Sequence, residues 1–249
     1  MVGNYRPISL ISVLAKIFER LLSDRLNAYL DKHKVLSNKQ YGFRKNRSTT
    51  DALDRLTELI EAAMDEKSAS LVIFVDLAKA FDTVDHKQLL DCLEGIGVRG
   101  VQYSLFRSYL TDRRQCVRLN GICSDSATIE YGVPQGTVLG PLLFNIYINS
   151  LYSIDTNGTI ISFADDTAIF YKNKNWDVLR QQVESDFPKI VHWCNAKLLT
   201  INFSKTKFTA YTSYSKNLPR YSELNVVIGN NILHIERTHV INYLGVQID

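Results

Sequence analysis

The chain is poor in the residues that staple, anchor or export a protein. Its four cysteines, Cys92, Cys116, Cys123 and Cys194, show no CxxC spacing, and no histidine joins them in a zinc-finger pattern. They read as reduced thiols of an intracellular protein, in cytoplasm or nucleus. The five histidines are scattered, and the His234 and His239 pair lacks the helical context and partners of a zinc site. No apolar signal core opens the sequence, and no run is long enough to span a membrane. The most apolar stretch, Val138 to Ile148, is short and holds Pro141 and Asn145. Sequons such as Asn46-Arg47-Ser48 and Asn202-Phe203-Ser204 are then chance matches, because glycosylation needs the secretory route. Repeats, low-complexity tracts and linkers are all missing, which argues against independent modules. Net charge is only +3, so composition neither demands nor excludes nucleic acid.

What is present is apolar residue in quantity, 45% of the chain, enough for one large domain or two intimate lobes. Ala15 to Leu30 has helical periodicity, with Ile17, Phe18, Leu21, Leu22 and Leu26 expected on the buried face. Ser48-Thr49-Thr50-Asp51 resembles a capping box and opens a helix carrying Leu53, Leu56, Leu59, Ile60 and Met64. Leu71 to Val75 reads as a buried strand. Lys87 to Glu94 and Val101 to Leu110 read as helices, and Arg114 to Cys123 as a hairpin on the Asn120-Gly121 turn. A buried helix is expected from Pro141, and a longer one from Trp176 to Leu199 with a kink at Pro188. Gly95-Ile96-Gly97-Val98-Arg99-Gly100 fits GxGxxG but follows a helix instead of a strand, so helix termination explains it better than nucleotide binding.

The sharpest signal is Asp165-Asp166, set between the apolar β-type runs Ile160 to Phe163 and Ala168 to Phe170. An isolated Asp-Asp pair is ordinarily a solvated turn, but strand flanks hold these carboxylates where aspartate is depleted. Asp76 ends another apolar run, an unusual place for a negative charge. Convergence of the two segments on a pair of divalent ions about 3.5–4 Å apart suits in-line phosphoryl transfer.

These residues fall within an ordered set of blocks: Asn4-Tyr5-Arg6-Pro7-Ile8-Ser9-Leu10; Gln40-Tyr41-Gly42-Phe43-Arg44 with Ser48-Thr49; Asp76 to Asp82; Gly132-Val133-Pro134-Gln135-Gly136 to Phe144; and Phe163 to Asp166. In this the chain resembles the reverse transcriptase domain of non-LTR retrotransposons, especially jockey-like and related insect-type elements, from about Asn4 to the C-terminus. The resemblance implies an α+β right-hand polymerase palm, an antiparallel sheet backed by helices, with fingers elements and the thumb absent or truncated. It implies that about 1–70 are mainly fingers and about 71–249 mainly palm, with a fingers insertion near 100–131.

By the same resemblance the activity is RNA-directed DNA synthesis on an RNA template from a DNA primer and dNTPs, with two Mg²⁺ ions, or Mn²⁺. Asp76 and Asp165 become metal ligands, the Leu77 carbonyl shares a metal, and Asp166 supports the site. Phe81 becomes the aromatic that excludes a 2′-hydroxyl. Gln135 and Gly136 contact the nascent pair, and Arg44 holds triphosphate, Lys45 and Arg47 being weaker candidates beside the Ser48 cap. Lys205 protonates pyrophosphate, and Tyr243-Leu244-Gly245 steadies the primer. For several of these an ordinary structural role competes: a core Phe81, a strand-to-helix turn at Gln135-Gly136, a terminal hairpin at Tyr243. Asp82 and Asp85 are near in sequence but serve equally well as solvated or capping residues. Asn149-Ser150 stands where the family often has Asn-Asp. No membrane partner is expected, and endonuclease and thumb domains of a polyprotein are expected elsewhere. A second reading is an inactive, truncated element fragment that at most binds nucleic acid. A metal-dependent nuclease ranks lower, for want of a general base or histidine near the aspartates.

Overall fold

The computed structural model describes residues 8–213 and 218–249, so the Asn4-Tyr5-Arg6-Pro7 part of the first block lies outside the described residues. In chain order the helices are α1 (Val13–Lys32), α2 (Thr49–Asp65), α3 (His86–Gly95), α4 (Gly100–Leu110), α5 (Gly140–Ile148) and α6 (Trp176–Ala196). The strands are β1 (Ala69–Val75), β2 (Arg114–Gln115), β3 (Arg118–Leu119), β4 (Ile122–Cys123), β5 (Ala127–Thr128), β6 (Thr159–Phe163) and β7 (Asp166–Asn173), followed by β8 (Lys207–Tyr211), β9 (Glu223–Ile228), β10 (Asn231–Arg237), β11 (Ile241–Tyr243) and β12 (Val246–Ile248). These elements gather into two compact units, Met1–Leu36 with Lys79–Ile148, and Ser37–Ala78 with Asn149–Asp249. Among the described residues no helix is long and apolar enough to cross a membrane.

The second unit is built on one sheet of order β6-β7-β1-β8-β10-β9, antiparallel at every pairing except β8 with β10. Every residue of β1 is buried, because both faces of the sheet are covered there, and this is why its sequence is an unbroken apolar run. On one face α2 sets Ala52, Leu56, Ile60 and Ala63 against Val72, Phe74, Ile161, Ala168 and Phe170. Its N-terminus is closed by the expected capping box, Ser48 and Asp51 each accepting the other's backbone N–H. On the other face α6 brings Ile190 and Cys194 against Val75, Thr167 and Ile169, the alternate residues of the same strands. α6 continues through Pro188 as a single helix of 21 residues.

In the first unit α3 ends as expected for helix termination, not for a nucleotide fingerprint. Gly97 takes φ +97°, and the Gly97 and Val98 amides donate back to the Glu94 and Leu93 carbonyls. Asp85 serves as the N-cap of α3, accepting from the Gln88 amide at 2.7 Å. The Asn120-Gly121 turn joins β3 to β4 as expected, but Arg114 to Leu119 is not one strand: β2 pairs with β5 instead. α5 is buried at every residue except Pro141.

α1 corrects the expected helix face in part: Leu26 is buried as expected, but the stripe is rotated. Ile17, Phe18 and Leu21 are exposed (54%, 48% and 60%), whereas Glu19, Ser23, Leu26 and Leu30 form the buried stripe. The cause is a polar anchor that outweighs the apolar pattern. The Glu19 carboxylate accepts from the Tyr109 hydroxyl at 2.8 Å and from the Val138 and Leu139 amides at 2.7 and 3.3 Å, and these contacts set the helix rotation. Burial, and then the Glu19 charge, push the Tyr109 phenol up to about 12.

Removing the anchor leaves buried donors unpaired. Glu19→Leu is therefore expected to cost about 3 kcal/mol in urea unfolding of the 249-residue chain. Leu21→Gln on the exposed stripe should change stability by less than about 0.5 kcal/mol. The reverse order would return α1 to the face that its periodicity suggests.

Candidate active site

β6 and β7 join through the two-residue turn Ala164-Asp165, with Phe163 paired to Asp166. Ala164 adopts φ +57°, which for a residue carrying a Cβ costs about 1–2 kcal/mol, so neighbouring contacts must hold the turn. Asp165 is half-buried and Asp166 exposed. β1 pairs with β7 as far as Val75↔Thr167, so Asp76 directly follows the last paired residue of β1 and Asp166 directly precedes its partner in β7. Strand alternation gives both positions the same parity as Phe74 and Ala168, which pack with α2. Two like charges directly across a strand pair repel, unless a cation lies between them. The all-oxygen donors suit a hard divalent cation. Among the described residues no three His, Cys, Asp or Glu side chains gather into a complete metal site by themselves. A Mg²⁺ site for phosphoryl transfer does not need such a cage, because substrate phosphates and water supply the remaining oxygens.

Residues 200–206 cradle the acidic end of β1. The Asp76 amide donates to Thr206 Oγ1 at 3.2 Å, the Asp76 carbonyl accepts from the Asn202 amide at 2.8 Å, and the Ala78 amide donates to the Thr200 carbonyl at 2.8 Å. Leu77 and Ile201 are thus the pair that exchanges no hydrogen bond, and Leu77's own carbonyl faces away from this segment. Lys205 is exposed in the turn just before β8. Sequence reading missed Thr206, because a hydroxyl that serves a backbone amide leaves no pattern.

Tyr243 also comes to this face. Its ring lies 5.1 Å from that of Phe74, and burial, followed by the Asp166 charge, raises its phenol above the usual range. Leu244-Gly245 is the two-residue turn of the β11–β12 hairpin.

Arg44 is half-buried and donates to the Ser37 carbonyl at 2.7 Å. Arg47 lies over the Tyr41 ring at 4.7 Å and bonds to Asn38, so it helps hold the 37–41 loop together. The Ser48 cap is not an open anion site. Asp51 already answers it, and the Ser48 hydrogen bonds hold that carboxyl below its ordinary pKa.

In the first unit the structure gathers the other candidates. The Phe81 ring stacks on Phe144 with centroids 4.2 Å apart, and the Phe81 carbonyl accepts from the Val133 amide at 2.8 Å. Gln135 Nε2 donates to Asp82 Oδ1 at 2.8 Å, and the Gln135 carbonyl accepts from the Ser9 amide at 2.9 Å. Asp82, left open between solvated and structural roles, thus holds Gln135. Gly136 follows with φ +84° beside the Ile8 side chain.

A mixed α+β fold with a mainly antiparallel sheet and an aspartate-bearing hairpin is of the reverse transcriptase and telomerase type. The family model described as reverse transcriptase (RNA-dependent DNA polymerase) matches residues 2–248, and the chain belongs to that family. It is 31% identical over 99% of its length to a probable RNA-directed DNA polymerase from transposon BS of Drosophila melanogaster. It is 30% identical over its whole length to the RNA-directed DNA polymerase from mobile element jockey of the same organism. The chain spans 27% of the length of each of these relatives. Among solved structures, telomerase from Candida tropicalis in complex with a fragment of telomeric RNA superposes with a TM-score of 0.58. That match is at 15% identity and covers 84% of this chain and 35% of the other, a likeness of fold.

Two carboxylates at the same end of the sheet predict a trade between stability and site. In metal-free buffer Asp76→Asn should raise unfolding free energy by about 0.5 kcal/mol, by removing one of two opposed charges. Mg²⁺ should stabilise the parent chain more than the variant. A variant less stable than its parent without metal would show that Asp76 is held by attractive contacts.

Proposed function

We propose that this chain carries the polymerase centre of a non-LTR retrotransposon enzyme, adding dNMP units to a DNA primer 3′-hydroxyl on an RNA template. The observation that supports this most strongly is the β1–β7 pairing, which ends at Val75↔Thr167 and so brings the end of β1 that leads into Asp76 to the end of β7 that carries Asp166 and the Asp165 turn. In this reading the Asp76 and Asp165 carboxylates and the Leu77 carbonyl would hold two Mg²⁺ ions, or Mn²⁺, with Asp166 as a supporting charge. When bound, such ions supply activation of the 3′-hydroxyl and neutralisation of the triphosphate. The chain's part is positioning and charge placement.

The candidate side chains of each unit have their own proposed tasks. In the second unit Arg44 takes triphosphate oxygens, and Lys205 protonates the departing pyrophosphate. Tyr243, Leu244 and Gly245 steady the primer end. In the first unit Phe81, backed by Phe144, presents a flat wall to the sugar and rejects a 2′-hydroxyl, and Gln135, held by Asp82, lies against the nascent pair with Gly136. We assign about 1–70 mainly to fingers, apart from α2, which packs on the sheet. About 71–249 are assigned mainly to palm, with a fingers insertion near 100–131. A longer polyprotein with endonuclease and thumb domains is the setting we propose.

Primer extension on an RNA template with Mg²⁺ tests the reading. Asp165→Ala should lower incorporation by at least about 1000-fold, a loss fitting a group that stabilises transition-state charge. Extension that survives the substitution assigns the activity elsewhere, and no extension by the parent chain favours an inactive fragment that only binds nucleic acid. Phe81→Ala should admit rNTPs, raising their use relative to dNTPs by about 10-fold or more as a steric discrimination is lost. Unchanged selectivity would reject Phe81 as the sugar wall.

A further inference from the structure

The side chain of Gln40 lies under the catalytic turn, 1% exposed, with its amide fully engaged. Its Oε1 accepts from the Ala164 amide at 2.9 Å and from the Gly42 amide at 2.7 Å. Its Nε2 donates to the Ala164 carbonyl at 3.2 Å and to the Tyr152 hydroxyl at 3.0 Å. Four hydrogen bonds exhaust what a glutamine amide can make, and the two backbone N–H groups fix which end carries the oxygen. One amide therefore grips the N–H and the carbonyl of the same turn residue.

The grip has a lever. The Ala164 carbonyl shares its peptide plane with the Asp165 amide, so anchoring that oxygen sets the plane from which the Asp165 side chain departs. Ala164 is also the residue in left-handed backbone, whose geometry must be held by its surroundings. The flanking chain adds rigidity: the Tyr41 amide donates to the Ser162 carbonyl at 2.8 Å, and the Ser162 amide to the Lys39 carbonyl at 2.9 Å, extending β6 by one parallel bridge. Gly42 completes the fit, because a Cβ there would press on the backbone of Phe163, 2.9 Å from its carbonyl carbon, and on the Ala164 amide.

We propose that Gln40 is a positioning residue for the polymerase centre, a buried amide clamp on Ala164 that holds Asp165 at its working place, with Gly42 as the close-approach position that admits it. The inference rests on the polymerase reading for its consequence in catalysis, but the clamp itself is testable without turnover. Nothing about it needs substrate contact.

Gln40→Met keeps the length of the side chain and removes all four hydrogen bonds; Gln40→Glu keeps the two acceptor bonds and loses the donors. Ile235→Val, in β10, serves as a core control. Hydrogen exchange of the metal-free 249-residue chain should show the 161–167 segment opening about 10-fold faster or more in Gln40→Met, with β8 to β10 unchanged. In primer extension kcat should fall about 100-fold with the dNTP KM within about threefold, as expected for misplacement of a reacting group, and Gln40→Glu should lie between. Ile235→Val should keep the parent kcat. The proposal is overturned if Gln40→Met keeps kcat within threefold, or if its faster exchange spreads evenly through the unit. If the parent chain extends no primer, the polymerase reading fails alone. Mg²⁺-dependent protection of segment 161–167, expected in the parent and lost in Gln40→Met, then decides the clamp, and its equal presence in both sinks it.

Discussion

Asp76 directly follows β1 and Asp166 opens β7, two neighbouring antiparallel strands, and the register between those strands organises the end of the sheet that carries both acids. Strand pairing is cooperative along its length, so seven consecutive pairs from Ala69↔Asn173 to Val75↔Thr167 fix the end of the sheet beside which both acids stand. A slip by one residue would turn Asp76 from the α2 face to the α6 face, and would carry Val72 and Phe74 with it. The hydrophobic sandwich that buries both faces of β1 therefore doubles as the device that aims a charge.

The rest of the second unit serves to keep this end of the sheet in place. Asn202 and Thr206 occupy the backbone of Asp76 from one side, the Lys39–Gly42 segment holds the β6–β7 turn from another, and the Tyr243 ring lies against Phe74 beneath Asp166. Each of these contacts is polar or aromatic and comes from a chain segment remote from the acids it supports. In the first unit the same logic appears in smaller form. Asp82 holds Gln135, Phe144 backs Phe81, and Glu19 fastens α1 to the amides that precede α5. Side chains to which the family resemblance gives a role are thus restrained by neighbours to which it gives none.

Much of this was legible from residue order because the signals were local. The Ser48–Asp51 capping box, the Asn120-Gly121 turn, the glycine termination of α3 and the buried run of β1 each follow from short-range chemistry that tertiary contacts reinforced. The face of α1 was misread for a physical reason. Periodicity counts apolar residues, whereas the helix turned to bury a carboxylate whose partners, Tyr109 and the Val138 and Leu139 amides, lie about ninety to one hundred and twenty positions away. The broken strand at Arg114 to Leu119 was hidden similarly, since its two halves take different partners.

The order of residues determined by itself the acids, the strands beside them and the family, since these are written in short motifs and apolar runs. Only the tertiary structure decided which atoms hold them. Gln40, Thr206 and Glu19 are ordinary polar residues in the sequence, and their parts arise from hydrogen bonds closed over 119 to 130 positions. Such contacts leave no trace in periodicity, because a long-range hydrogen bond constrains two points in space and nothing in the sequence between them.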